Sequence, residues 1–160
     1  MMLDFGEAVR RFYKNYFNPD GRAQRSAYWW VVVFQLIIYV VLTIVIFMAE
    51  GGDQLRDAIN AMLDGEFDAA SMEEFYLGPS GVIAALILMC FALANILPDI
   101  MLSIRRFHDL NQTGWLVLVF KVLGALPGIG LLASIGNLLW FSLPGTTGPN
   151  RYGPDPLRGG

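Results

Sequence analysis

Long apolar runs alternate with short polar stretches along this chain. Two runs, residues 28–48 and 81–104, reach the roughly 20 apolar residues that a helix needs to cross a hydrocarbon core of about 30 Å. The first run has no charged residue, and the second has only Asp99. The pattern therefore predicts an all-α integral membrane helical bundle with two clear transmembrane helices.

A third apolar run, residues 114–143, is interrupted at Pro127 by the sequence PGIG. Proline and glycine break a helix, and membranes tolerate such a break only where protein or water satisfies the freed backbone groups. The run is either one tilted span or a hairpin of two short helices. We favour the hairpin, which would return the polar tail, residues 144–160, to the side from which the run starts.

The segment before the first span, residues 1–27, has the pattern of an amphipathic helix. Basic side chains stand among apolar residues at helical spacing: Leu3, Phe5, Ala8, Val9, Phe12, Tyr13, Tyr16 and Phe17. Such a helix suits the surface of an anionic membrane. The alternative is a helix that packs on the protein itself.

Composition agrees with a single membrane domain over residues 1–160. The chain is 55% hydrophobic and 16% charged, whereas soluble domains have roughly 45–50% apolar and about 25% charged residues. Cys90 is the only cysteine, so neither a disulfide framework nor a cysteine metal site is expected. No cofactor and no nucleic-acid partner are predicted.

The distribution of charge predicts the orientation. Basic residues precede the first span, whereas the connector of residues 49–80 has only Arg56 and more than half of the 14 acidic residues. The positive-inside rule places the N-terminus in the cytoplasm and this connector outside. Within the connector, residues 53–64 predict a helix with Leu55, Ile59 and Met62 on one face, and residues 64–75 a turn and a second short helix.

Candidate chemistry gathers in residues 105–113, predicted as a cytoplasmic polar loop. His108 beside Asp109 suggests a general base with its orienting carboxylate, but adjacent residues rarely point the same way. A helix cap by Asp109 or Asn111 is the simpler interpretation. We expect the cluster to join one polar network that stabilises the bundle or binds anionic lipid, with members Arg22, Arg25, Arg105, Arg106, His108, Asp109 and Arg151.

Two polar residues lie inside the second span. Asn95 and Asp99 are four positions apart and share a helix face, where a carboxylate requires a partner. A structural ion pair with Arg22, Arg25 or Arg105 is the favoured interpretation, and an ion pathway is the alternative.

The sequence resembles the domain of unknown function 805 family of small bacterial inner-membrane proteins. The resemblance extends from about Phe5 to Pro156 and rests on four motifs in order, namely GRAQRSAYWW, RRFHDLNQTGW, PGIG and PGTTGPNRYGPDP. It implies a multi-pass protein of the bacterial inner membrane and brings no assigned activity, substrate or cofactor. The acidic connector looks longer than is usual for this family.

Three functional hypotheses follow. The first is a non-enzymatic membrane protein whose polar cluster stabilises the bundle and binds anionic phospholipid or a membrane-protein partner. The second is a small oligomeric transporter or channel component that uses Asn95 and Asp99, which a homo-oligomer would favour. The third is a membrane enzyme that acts on a lipid headgroup through His108 and Asp109.

Overall fold

The computed structural model describes residues 3–48, 52–65 and 78–158. In these ranges the regular structure is entirely helical, with one isolated β-bridge between Asn150 and Gly153. The helices are α1 (Phe5–Lys14), α2 (Arg25–Ile46), α3 (Gly52–Asp64), α4 (Pro79–Asp109), α5 (Leu116–Ala125) and α6 (Gly130–Ser142). The predicted all-α class is confirmed.

Two helices are long and apolar enough to span a membrane, α2 and the part of α4 from Gly81 to Asp109. They correspond to the two predicted spans. Most of their apolar surface is not covered by the rest of the protein: Leu36 is 58% exposed and Ile83 is 59% exposed. Such surface suits contact with lipid and would be costly in water.

The helix α4 extends five residues beyond the predicted span and ends at Asp109. The prediction of a polar loop over residues 105–113 is therefore wrong for residues 105–109. Charged side chains do not break a helix, and the chain leaves the helical conformation only near Asn111, where φ is +56°.

The chain divides into two compact units, one of Met1–Phe34 with Asn95–Gly160 and the other of Gln35–Ala94. The second unit contains α3, whose Ile59 and Met62 are 50% and 71% exposed. The predicted helix within the connector is confirmed by α3. The second helix predicted over residues 64–75 lies mostly outside the described residues.

In the first unit, α1 is confirmed as an amphipathic helix, and one part of its apolar face packs on the protein. Phe12 is 1% exposed and belongs to a core cluster with Ala23, Val31 and Leu102. Phe5 stays 39% exposed. On the polar face, hydrogen bonds from Arg10 and Arg11 lower the pKa of Glu7 to about 2.

The third apolar run forms a hairpin rather than one tilted span. The rings of Phe120 in α5 and Trp140 in α6 lie 5.7 Å apart, and a Cβ on Gly124 would lie 3.5 Å from Ser134 Oγ. Helices of 10 and 13 residues are about 15 and 20 Å long, too short to cross a core of about 30 Å. The tail therefore returns to the end of α4.

Candidate functional site

Asp109 is the centre of a buried ion-pair cluster. Its Oδ1 accepts a hydrogen bond from Arg22 Nε at 3.0 Å, and its Oδ2 accepts one from Arg106 Nη1 at 2.5 Å. The exposed fractions of the three side chains are 4% for Asp109, 1% for Arg22 and 0% for Arg106. Two guanidinium groups thus share one carboxylate, and the cluster has net positive charge.

Arg106 also binds the C-terminal end of α6. It donates hydrogen bonds to the carbonyl of Phe141, from Nε at 3.1 Å and from Nη2 at 2.9 Å, and a further one to the carbonyl of Leu143. The last carbonyls of a helix have no partner within the helix and carry partial negative charge. The guanidinium of Arg106 therefore caps α6 and fixes the end of the hairpin against α4.

Arg22 holds the polar tail. Its Nη1 donates to the carbonyl of Gly148 at 2.7 Å, and its Nη2 donates to the carbonyl of Thr146 at 2.5 Å. The carbonyl of Asp109 accepts two hydrogen bonds from Thr146, one from N–H at 2.9 Å and one from Oγ1 at 3.0 Å. The segment before α2, the end of α4 and the tail thus meet in one place, which we call the polar layer.

Asn150 and Asp155 fix the shape of the tail. Asn150 Nδ2 donates to the carbonyl of His108 at 2.9 Å. Asp155 accepts from the N–H groups of Leu157 at 3.0 Å and Gly148 at 2.9 Å. These two hydrogen bonds lower the pKa of Asp155. The carboxylate therefore organises the tail turn, and it does not pair with Arg22 or Arg25.

Gly145 marks the closest approach of the tail to the ion pairs. A Cβ at this position would collide with the carboxylate of Asp109. Only glycine lets the backbone pass so close.

Four of the predicted network residues lie around the Asp109 cluster without bonding to Asp109. His108 Nδ1 lies 3.2 Å from the carbonyl of Gly21, and Arg105 Nε donates to the carbonyl of Met101 at 3.4 Å. Arg151 Nη2 donates to the carbonyl of Asn111 at 3.1 Å. Arg25 is exposed and has no hydrogen-bond or ion-pair partner among the described residues.

His108 and Asp109 do not form a catalytic pair. His108 stacks on the ring of Tyr152, with ring centroids 3.8 Å apart, and lines a largely apolar groove of about 780 Å³. The carboxylate of Asp109 is held by the two arginines instead. Successive residues of a helix point about 100° apart, which explains the separation.

The predicted helix cap is also wrong. The N-cap residue of α5 is Trp115, and no side chain of the described chain caps it. Asp109 is occupied by the arginines, and Asn111 adopts a left-handed conformation that ends α4.

Asn95 lies in the first unit and is 1% exposed. Its Oδ1 accepts a hydrogen bond from the hydroxyl of Tyr13 in α1 at 3.1 Å. Asp99 lies one turn further along the same face of α4. Asn95 thus helps to position α1, which is a structural task.

A pocket of about 500 Å³ opens beside the polar layer. Its walls include Arg22, Asp109, the tail and the start of α2, where Gln24 precedes the helix and Arg25 and Ser26 begin it. Gln24 is 5% exposed, and its buried Oε1 has no hydrogen-bond partner in the described chain. Sequence reasoning missed Gln24, although a glutamine between two arginines in RAQRS was a visible signal.

Groups of three or more His, Cys, Asp or Glu residues suitable for a metal ion do not occur within the described ranges. The acidic residues of the polar layer are held by arginines and backbone N–H groups.

The exposed apolar helices, the short hairpin and the polar layer at one end of α4 define a small all-α membrane protein. The chain belongs to the family described as "Protein of unknown function (DUF805)", whose model matches residues 16–154. This match confirms the family resemblance seen in the motifs.

Two relatives from Escherichia coli (strain K12) are similar over most of the chain. Inner membrane protein YhaI is 32% identical, over 91% of this chain and 92% of its own length. Inner membrane protein YhaH is 27% identical, over 89% of this chain and 90% of its own length. No solved structure matches at a significant level. The names of these relatives support an inner-membrane location.

Proposed function

We propose that the protein is a non-catalytic inner-membrane protein whose polar layer faces the cytoplasm and binds anionic phospholipid. The observation that carries the proposal is the excess of positive charge. Arg22 and Arg106 share the single carboxylate of Asp109, and Arg25 stands at the rim of the adjoining pocket without a partner among the described residues. Guanidinium groups bind phosphate well because they offer paired donors in a fixed fork.

The position of the layer along α4 supports contact with headgroups. The helix has 31 residues and is about 46 Å long, which exceeds a core of about 30 Å. Arg105 to Asp109 lie at one end, where Tyr28 at the start of α2 packs against the cluster of Phe107 and Phe141. Trp29 and Trp30 follow Tyr28 in the sequence. Tryptophan and tyrosine are enriched at the level of the headgroups.

The cytoplasmic orientation rests on the positive-inside rule. Basic residues occur near this end both at the start of α2, with Arg22 and Arg25, and in the tail, with Arg151. The connector contributes only Arg56. The rule counts basic residues close to the ends of spans, so it favours the cytoplasm for the polar layer.

The two other hypotheses have less support. An enzyme based on His108 and Asp109 would require the two side chains to meet, whereas Asp109 is bonded to Arg22 and Arg106. A transport pathway would use Asn95 and Asp99, and the amide oxygen of Asn95 is already bonded to Tyr13.

The test is the class of lipid that the full-length protein retains. After purification in gentle detergent, native mass spectrometry should show bound anionic phospholipid in excess of its share of the source membrane. The variant Arg158→Gln, which removes an exposed charge from the tail, should retain the same lipids. Retained lipid that mirrors the bulk composition, or no retained lipid, would refute the proposal.

A further inference from the structure

The first turn of α2 forms part of the wall of the 500 Å³ pocket. The N–H groups of Arg25 and Ser26 have no acceptor among the described residues, and the first turn of this 22-residue helix contains no acidic residue. The N-terminus of a helix carries partial positive charge and unpaired N–H groups, which together favour an anion. An anionic group at this end of the pocket would satisfy them.

Gln24 is the second and independent sign of a ligand. The side chain is 5% exposed and lines the same pocket, as well as a smaller cavity of about 130 Å³ on the side of α1. Its Oε1 is buried and has no partner within the described ranges. A buried acceptor without a donor is costly, and a ligand that supplies a hydroxyl removes that cost.

The charges around the pocket favour an anion over a cation. The two carboxylates in its wall are engaged, that of Asp109 by Arg22 and Arg106 and that of Asp155 by backbone N–H groups. Arg25 has no partner in the described chain. The hydroxyl of Ser26 accepts from the N–H of Leu3 at 3.2 Å, which leaves its hydrogen for a further acceptor.

We propose that this pocket binds the phosphodiester of an anionic glycerophospholipid whose headgroup carries a hydroxyl. The inference rests on the proposed function and names the lipid and the residues. The phosphodiester accepts from the first-turn N–H groups of α2, from Ser26 and from Arg25. Since a phosphodiester has no hydrogen to donate, the headgroup hydroxyl donates to Gln24 Oε1. An ammonium headgroup is disfavoured by Arg22 and Arg25.

The experiment compares two lipids of equal charge by native mass spectrometry and by titration in nanodiscs. Phosphatidylglycerol has headgroup hydroxyls, and phosphatidylmethanol has the same phosphodiester without them. The wild-type protein should prefer phosphatidylglycerol by about tenfold, the value expected for one buried hydrogen bond. Gln24→Leu should abolish this preference, whereas Arg25→Gln should weaken the binding of both lipids.

Matched controls separate the site from general effects. Gln112→Leu changes an exposed glutamine and Arg158→Gln an exposed arginine, and both should behave as wild type. If Gln24→Leu does not fold, the comparison of the two lipids in the wild-type protein decides alone. Equal binding of these lipids by the wild type would overturn the inference.

Other outcomes distinguish the inference from the proposed function. Retention of anionic lipid with an unchanged lipid preference in Gln24→Leu would refute this site and leave the proposed function intact. If the wild type shows no preference for anionic lipid, both this site and the proposed function are refuted. Glycerol phosphate and inorganic phosphate are tested as soluble probes, and binding of either as tight as that of phosphatidylglycerol would contradict a lipid occupant.

Discussion

Removal of the Asp109 carboxylate should destabilise the protein strongly. In Asp109→Ala, Arg22 and Arg106 lose the carboxylate that both contact, although their side chains are only 1% and 0% exposed. Removal of one partner from a buried ion pair costs about 3–5 kcal/mol, because it leaves an uncompensated buried charge. Asp109→Asn retains a hydrogen-bond acceptor, and we expect a smaller loss of about 1–3 kcal/mol.

A double-mutant cycle with Arg22→Ala tests whether the two residues act together. Asp109→Ala alone leaves both arginines without the carboxylate, whereas the double variant leaves only Arg106. The combined loss should therefore be smaller than the sum by about 0.5–3 kcal/mol. The measurement is the free energy of unfolding of the full chain in detergent, followed by circular dichroism. Arg158→Ala, in an exposed side chain, serves as the control and should match the wild type. Additivity within about 0.5 kcal/mol, or wild-type stability of Asp109→Ala, would refute the reasoning.

Three further predictions concern the tail and the orientation. Gly145→Ala should lower Tm because its Cβ would collide with Asp109. Gly136→Ala should not lower Tm, since its Cβ would point into open space beside its own helix. Equal Tm values would contradict the close approach. In a Cys90→Ala background, an impermeant maleimide should label Asn60→Cys in intact spheroplasts but not Asn18→Cys or Thr147→Cys, and the reverse pattern would overturn the orientation. Since hydrogen bonds lower the pKa of Asp155, its contribution to stability is complete above the unfolded pKa of about 3.9. That contribution is lost as the pH falls through the lower folded pKa. Proteolysis of the tail should therefore increase at acid pH in the wild type. In Asp155→Asn, which has no carboxyl group to titrate at this position, the rate of tail proteolysis should not change with this protonation.

The membrane helices were predictable because their signal is local. A run of apolar residues long enough to cross the core identifies α2 and α4 whatever the rest of the chain does. Local sequence does not decide between a tilted span and a hairpin for the third apolar run. It depends on the contact of Phe120 with Trp140 and on the close approach of Gly130 to Gly124, and neither contact follows from hydropathy.

The members of the polar cluster were predictable, whereas their pairing was not. Arg22 and Asp109 are 87 positions apart, and several arginines had the same charge and a similar distance from the spans. Arg22 and Arg106 pair with Asp109 in the folded chain because their guanidinium groups also bind backbone carbonyls of the tail and of α6. Hydropathy does not predict the continuation of α4 through Asp109, because arginine is a good helix former and charged residues after an apolar run are compatible with a helix as well as with a loop.

The buried arginines explain how the tail and the hairpin stay at one end of α4. A guanidinium has five donor hydrogens in a rigid plane, and Arg106 uses this plane to join Asp109 to the carbonyls of Phe141 and Leu143. A buried ion pair contributes little net stability by itself, so its importance lies in which segments it joins. The side chain of Arg25 and the Oε1 of Gln24 lie next to this network without partners among the described residues. Since the carboxylate of Asp109 and the guanidinium groups of Arg22 and Arg106 are already bonded within the chain, a ligand that binds the polar layer should bind at Gln24 and Arg25.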